Sequence, residues 1–265
     1  MKKHLLPCLV AVFALMSIFL GCSDNDSNPP LIEGDYNDPA YIQAQGLAEI
    51  YVDSLAAFAL DGFSYMEFDG TGPMKVASDS VDIRYNDSSS WWTVYAHYDT
   101  TDLNMTFLDS VRFEEGSEYR QWPDSLTTTG IGYHALASFD LAADSATFAG
   151  DFSQNMAIDG IQSDLVAFTG GSSADIEIQT NTVDYWQSYD GSILNVTFNR
   201  SDLEVLEDPH PISGGLDVTM LVVATTDQGS SSVSWHAIVT FYIDRYHVRL
   251  ESGGNYWEWE GPYGG

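Results

Sequence analysis

From Gly62 to the C-terminus the chain is a succession of short alternating runs, rich in Thr, Val, Tyr, Phe and Trp, with turn residues about every ten positions. Each such run buries one face and must pair with others, which restricts the fold to an antiparallel meander, barrel or sandwich. The runs predict strands at 64–69, within 73–85, and at 91–99, 104–113, 131–141, 145–152, 164–168, 173–179, 214–226 and 255–260. Two hairpins are also predicted. Asp190-Gly191 suits a two-residue primed turn, which pairs Tyr189 with Ser192, Tyr185 with Val196 and Val183 with Phe198. Apolar residues then share one face, while Asp184 and Thr197 share the other. A turn at Asp244-Arg245 would set Phe241 opposite Val248 and Val239 opposite Leu250.

One helix precedes the strands. Asp38-Pro39 supplies an N-cap and a proline at the first helical position. Tyr41, Leu47, Tyr51, Leu55 and Phe58 recur at three- to four-residue spacing, and Asp61-Gly62 is a usual helix end. The spacing predicts a helix over 39–61. Its polar side carries Glu49 and Asp53 and no lysine, which fits a lid on a sheet better than a helix on an anionic bilayer. Residues 201–215 hold acids, prolines and glycines and are the only other candidate boundary; about four strands lie beyond. Residues 38–265 therefore read as a single β-rich domain. The expected architecture is an N-terminal helix followed by a curved antiparallel sheet, closed into a barrel or half-barrel, with a β-sandwich as the alternative.

The N-terminal segment is of another kind. Lys2 and Lys3 are followed by an apolar run from Leu5 to Leu20, and Phe19-Leu20-Gly21-Cys22 closes it. A positive end, an apolar middle and a small residue make a secretory signal. With Cys22 just after it, the segment resembles a bacterial lipoprotein signal peptide. The resemblance implies that diacylglycerol is joined to the Cys22 sulfur, that residues 1–21 are removed, and that palmitate-type chains tie the protein to a membrane. Phe19 stands where that family usually carries Leu. Ser23 follows the cysteine, and in Gram-negative lipoproteins the absence of Asp there implies the outer membrane. Residues 22–37 then form the lipidated cysteine and a polar tether, too poor in apolar groups to fold. Asp24, Asp26 and Asn28 have the spacing of a calcium loop, but Pro29 occupies the position that needs glycine.

Composition agrees with export and narrows the partners. The two cysteines are Cys8, inside the segment to be removed, and Cys22, so no disulfide can form in the mature chain. The domain must be held by its core alone. The full chain has 9 Lys+Arg against 39 Asp+Glu; losing Lys2 and Lys3 leaves 7 against 39, a formal charge of −32. A polyanion gains nothing from phosphate, which argues against nucleic acid, and it is repelled by anionic headgroups.

The usual catalytic strings are missing: no Gly-x-Ser-x-Gly, no His-Glu-x-x-His, no Walker loop and no dinucleotide fingerprint. His97 and Asp99 share a strand face, but a metal site would need more ligands from His134, His236 or His247. Glu258 and Glu260 share a face of the last strand, at the separation glycoside hydrolysis uses, which any Glu-x-Glu strand would give. No cofactor, metal or catalytic residue is expected. Aromatic density is the better functional signal. Trp91, Tyr95, Trp186, Trp257 and Trp259 are the candidate residues for an apolar or sugar ligand, beside their plain use in packing. In architecture alone, the helix-then-sheet order resembles the periplasmic lipoprotein carriers and the outer-membrane lipoprotein receptor, although none of their motifs maps onto this chain. The functional expectation is a lipid-anchored envelope protein, more a binder of an apolar ligand or protein partner than an enzyme. A hydrolase of an envelope polymer and an acidic surface or adhesion module are the alternatives.

Overall fold

The computed structural model describes residues 31–38, 41–42, 44–46, 48–49, 52, 81–143, 145–205 and 209–263. The fold is mainly β. The strands are β1 (Ile32–Glu33), β2 (Val81–Asn86), β3 (Trp91–Asp99), β4 (Leu103–Glu115), β5 (Glu118–Arg120), β6 (Gly130–Ala143) and β7 (Ala146–Asp159). They continue as β8 (Leu165–Thr180), β9 (Asp184–Asn199), β10 (Ser213–Thr226), β11 (Gly229–Phe241), β12 (Arg245–Ser252) and β13 (Asn255–Pro262). A short helix, α1 (Arg200–Val205), lies between β9 and β10. All 13 strands belong to one sheet, in the order β1-β13-β12-β11-β10-β9-β8-β7-β6-β4-β3-β2, with β5 paired to β4 off this path. The path is antiparallel throughout except that β1 joins β13 in parallel. It begins at β1 and ends at β2, so the sheet is open rather than a closed barrel, and it is one sheet rather than a sandwich of two. Strands on both sides of residues 201–215 pair directly, β9 with β10.

Several expected strands are halves of longer ones. The predicted 164–168 and 173–179 are both β8, and the Asp190-Gly191 hairpin is absent: both residues lie inside the 16-residue β9. Gly191 pairs with Ser172 on one side and Val218 on the other, and its φ is not positive. It is glycine because a Cβ there would overlap the Tyr189 hydroxyl and stand 2.7 Å from its Cζ. The chain instead turns at 180–183, where Thr180 accepts backbone hydrogen bonds from Thr182 and Val183. The hairpin after β11 exists, but its register is two residues from the expected one: Phe241 pairs with Tyr246 and Val239 with Val248. A slip of two keeps each side chain on its face, so the apolar pattern could not tell the two registers apart.

The apolar face is continuous across a fault in β9. Register shifts against β8 and β10 both fall at Leu194–Asn195–Val196, where β9 carries one extra residue. Asn195 adopts φ 51°, as expected of a bulge residue. The bulge resets the alternation, so Phe198 and Val196 on one side of it share a face with Ile193 and Tyr189 on the other, all buried. Gly170 and Gly214 flank it with positive φ, and a Cβ on either would overlap a neighbouring strand's carbonyl, Asn155 or Asn195. The core on this face includes Phe113, Ile131, Ile158, Val166, Phe168, Phe198, Val239, Val248 and Leu250, each at most 2% exposed.

The helix expected over 39–61 falls largely outside the described residues, as do Leu47, Tyr51, Leu55, Phe58 and the strand expected at 64–69. The described Tyr41, Ala44, Ala48 and Val52 are buried in the core cluster. Among the described residues no helix is long and apolar enough to cross a membrane.

Candidate functional site

Alternation and register sort every strand residue onto one of two faces. The polar face is built mainly from small and acidic side chains. One cross-strand row on it runs Tyr95, Leu108, Leu136, Ser153, Ser173, Asp190, Thr219, His236, Glu251, Tyr256. At the acidic end of that row is a hollow of about 390 Å³, lined among others by Asp190, Thr219, Leu221, Ser234, His236 and Glu251. His236 is its centre. Its Nε2 lies 2.8 Å from Asp217 Oδ1, and its Nδ1 lies 4.0 Å from Glu251 Oε2. Both ring nitrogens thus face carboxylates. A hydrolytic triad needs one imidazole nitrogen on the acid and the other on a hydroxyl, and this arrangement is acid–histidine–acid. The nearby Ser252 hydroxyl donates instead to the Ser234 carbonyl at 2.6 Å. A second hollow, of about 410 Å³, lies near the β3–β4 turn and includes Asp102, Asp140 and Glu177.

The arginines are all engaged. Arg84 pairs with Asp82, Arg112 with Glu114, Arg120 with Glu115 and Glu118, and Arg200 with Glu204. Arg245 pairs with Asp244 and Glu260, and Arg249 with Glu251 and Glu258. Hydrogen bonds that the Arg249 guanidinium donates to Glu251 and Glu258 push its pKa above its ordinary value. Glu258 and Glu260, the pair with glycosidase spacing, are therefore each bound to an arginine. His97, on β3, meets Thr106 Oγ1 at 3.4 Å from Nδ1 and lies at the far side of the sheet from β13. Among the described residues no group of three or more His, Cys, Asp or Glu is placed to hold a metal ion.

The five candidate aromatics are not brought together. Trp91 and Tyr95 stand on the polar face of β3. Trp186 is on the same face of β9, five strands away or about 24 Å. Trp257 and Trp259 point to the apolar face. Trp91 has a packing role: the Arg112 guanidinium lies over its ring at 4.8 Å and over Tyr119 at 4.3 Å. Gly132 leaves room for that stack, since a Cβ would meet Arg112 Nε at 3.0 Å. Trp257 is 3% exposed and stacks on Tyr41 with centroids 5.3 Å apart at 18°, and Trp259 meets the same tyrosine edge-on at 5.9 Å.

Polar groups buried on the apolar face, among them Asp109, Tyr133, Gln154 and Gln187, went unread in the sequence. The Tyr133 hydroxyl donates to Asp109 at 3.0 Å, and Asp109 is only 3% exposed. Gln187, 4% exposed, sits between Ile176 and Val222, and among the described residues neither of its amide atoms has a hydrogen-bond partner. No local motif marks them; only the β9 register reveals that Gln187 points inward. No protein-family model matches the chain, and neither a curated protein nor a solved structure matches it.

Proposed function

We propose that this chain is an exported envelope protein, tied by lipid on Cys22 to the outer membrane, that works without catalysis by holding a protein partner. In this reading the sheet curves into a half-barrel and the helix over 39–61 lies across its apolar face. The observation that carries the reading is the burial of Tyr41, Ala44, Ala48 and Val52 in the core. Their three- and four-residue spacing fits one helical stripe, and Gln45 reaches Glu49 four residues on, at 3.0 Å. The apolar face is thus occupied by the chain's own side chains where a carrier would keep its cargo. The acid-flanked His236 and the engaged arginines also argue against hydrolysis or anion capture.

The anchor is tested by growing cells with radiolabelled palmitate: the parent protein should carry label and sediment with membranes, and Cys22→Ser should do neither. An unlabelled, soluble parent would end the anchor reading. A second reading, an apolar ligand with an uncharged polar group, is favoured by Gln187, because an unmet buried amide costs about 1–3 kcal/mol. Native mass spectrometry of the chain after exposure to envelope lipid extract separates the two. A bare mass supports the partner reading. A retained neutral lipid, lost in Gln187→Leu, would replace it with the ligand reading.

A further inference from the structure

In an antiparallel meander the connections alternate between two ends. The β1–β13 pairing brings the N-terminal chain in at the end that carries the β3–β4, β6–β7, β8–β9, β10–β11 and β12–β13 turns. Those turns are polar, and the exposed large apolar side chains at this end are Leu31 and Ile32 of the entering chain, beside the β12–β13 turn, rather than residues of the turns. The opposite end differs. Among the described residues, its successive connections after β5 each present an exposed aliphatic residue, within the connection or opening the next strand: Leu126 at 82%, Leu165 at 47%, Val205 at 79% and Ile243 at 79%. These connections are two strands apart, which spaces them about 10 Å from one to the next.

They form a fixed platform. Gln162 Nε2 donates to the carbonyls of Ser125 and Thr128 at 3.0 and 2.9 Å, which joins the first connection to the second. The Arg200 amide donates to Asp164 at 2.9 Å, joining the second to α1. His210 stacks on Tyr263 at 4.7 Å, and the Tyr263 hydroxyl donates to Tyr242 at 3.0 Å, joining the third to the fourth. Aliphatic tips held this way lose little entropy on contact with a partner. Around them stand Asp124, Asp164, Asp202, Glu204 and Asp244, against Arg200, which is bound to Glu204, and Arg245, which is bound to Asp244 and Glu260.

We propose that this end docks a cationic amphipathic segment of a partner protein. Leu126, Leu165, Val205 and Ile243 meet its apolar side, and the surrounding carboxylates meet its lysines or arginines. The inference rests on the partner reading above. An anionic bilayer is disfavoured as the occupant, because its headgroups are repelled by these carboxylates.

The test uses the full chain in phosphatidylcholine nanodiscs and a 14-residue amphipathic leucine/lysine peptide carrying a benzophenone. Cross-links should map to the four connections. The variant Leu126→Ser/Val205→Ser/Ile243→Ser should lower the yield roughly tenfold or more, and a leucine/glutamate peptide should fail to react. Serine at these exposed positions leaves the core untouched. An unchanged yield in the variant, cross-links at the other end, or equal reaction of the acidic peptide would overturn the proposal. So would variant-sensitive flotation of the nanodisc-held protein with added vesicles, which would assign the surface to lipid. The Cys22→Ser protein, assayed in solution, separates the two ideas: peptide binding there alongside an unlabelled parent would sink the anchor and leave the docking surface standing.

Discussion

Gly191 offers the sharpest test of the fold, because two readings of the same residue predict different consequences. In the structure Gly191 is mid-strand, and the space its side chain would fill belongs to Tyr189. Tyr189 is 4% exposed, and its hydroxyl lies 3.2 Å from Ser172 Oγ on the neighbouring strand. Gly191→Ala must therefore push the ring out of its place. Overpacking of this kind costs about 1–3 kcal/mol, and losing the hydroxyl contact adds about 1 kcal/mol. Alanine returns about 0.5–1 kcal/mol by restricting the unfolded chain. The net expectation is a loss of about 1–3.5 kcal/mol.

A double-mutant cycle with Tyr189→Phe isolates the cause. Removing the hydroxyl vacates most of the overlapped space, so Gly191→Ala should cost at least about 1 kcal/mol less in the Phe background than in the parent. If Asp190-Gly191 formed a turn instead, alanine would suffer from a positive φ and the penalty would be indifferent to Tyr189. Urea unfolding followed by tryptophan fluorescence gives the four stabilities. A neutral Gly191→Ala, or strict additivity with Tyr189→Phe, would refute the packing argument.

Trp257→Ala should cost about 3–5 kcal/mol, since it removes a buried ring and the platform beneath Tyr41; a urea midpoint unmoved from the parent's would contradict the placement of that segment. Asn195→Gly should be neutral or slightly stabilising, while Asn195→Val should lose about 1–2 kcal/mol, because the bulge needs φ near 51°; equal midpoints for the two would remove the bulge from the account. Burial pushes the Tyr263 phenol above its ordinary pKa of 10.0. The folded protein then holds that proton more tightly than the unfolded chain, so the associated stability is complete below pH 10.0 and is lost as pH rises through the folded value. Phenolate absorbance should show a late-titrating tyrosine that disappears in Tyr263→Phe, and an unchanged titration curve in that variant would count against it.

Strand identity was legible because alternation is a local property of the chain: β3 begins and ends where its run of Trp, Tyr and Val does. What the sequence hid depends on contacts between distant residues. Gly191 looks like a turn glycine until Tyr189 is seen lying over it. Gly170-Gly171 divides β8 on paper, yet in the sheet Gly170 makes room for the Asn155 carbonyl and the strand runs on. The two-residue slip after β11 was invisible because both registers bury the same faces. For the candidate site the position is similar. His236, Asp217 and Glu251 come from three strands, and nothing in their spacing announces that they meet, while the aromatics that do stand out in sequence divide between packing the core and flanking an arginine.

An open sheet of this size must also keep its edges from pairing with other copies. At one edge β1 is only two residues long and covers the start of β13, whose outward face carries Glu258 and Glu260. At the other edge the short β2 places Asp82 and Arg84 on its polar side. Copies approaching edge to edge would further meet a chain of formal charge −30, and at physiological salt this repulsion acts within about 8 Å, the range at which backbones begin to pair. The same acidity leaves the aliphatic tips of the platform end unattractive to a second copy, which would bring carboxylate against carboxylate. A cationic surface suffers no such penalty. Edge protection and partner selection therefore draw on one property at different residues, and a chain made less acidic at Asp124, Asp164 and Asp244 should lose peptide cross-linking while staying monomeric in sedimentation, because Glu258, Glu260 and Asp82 still guard its edges.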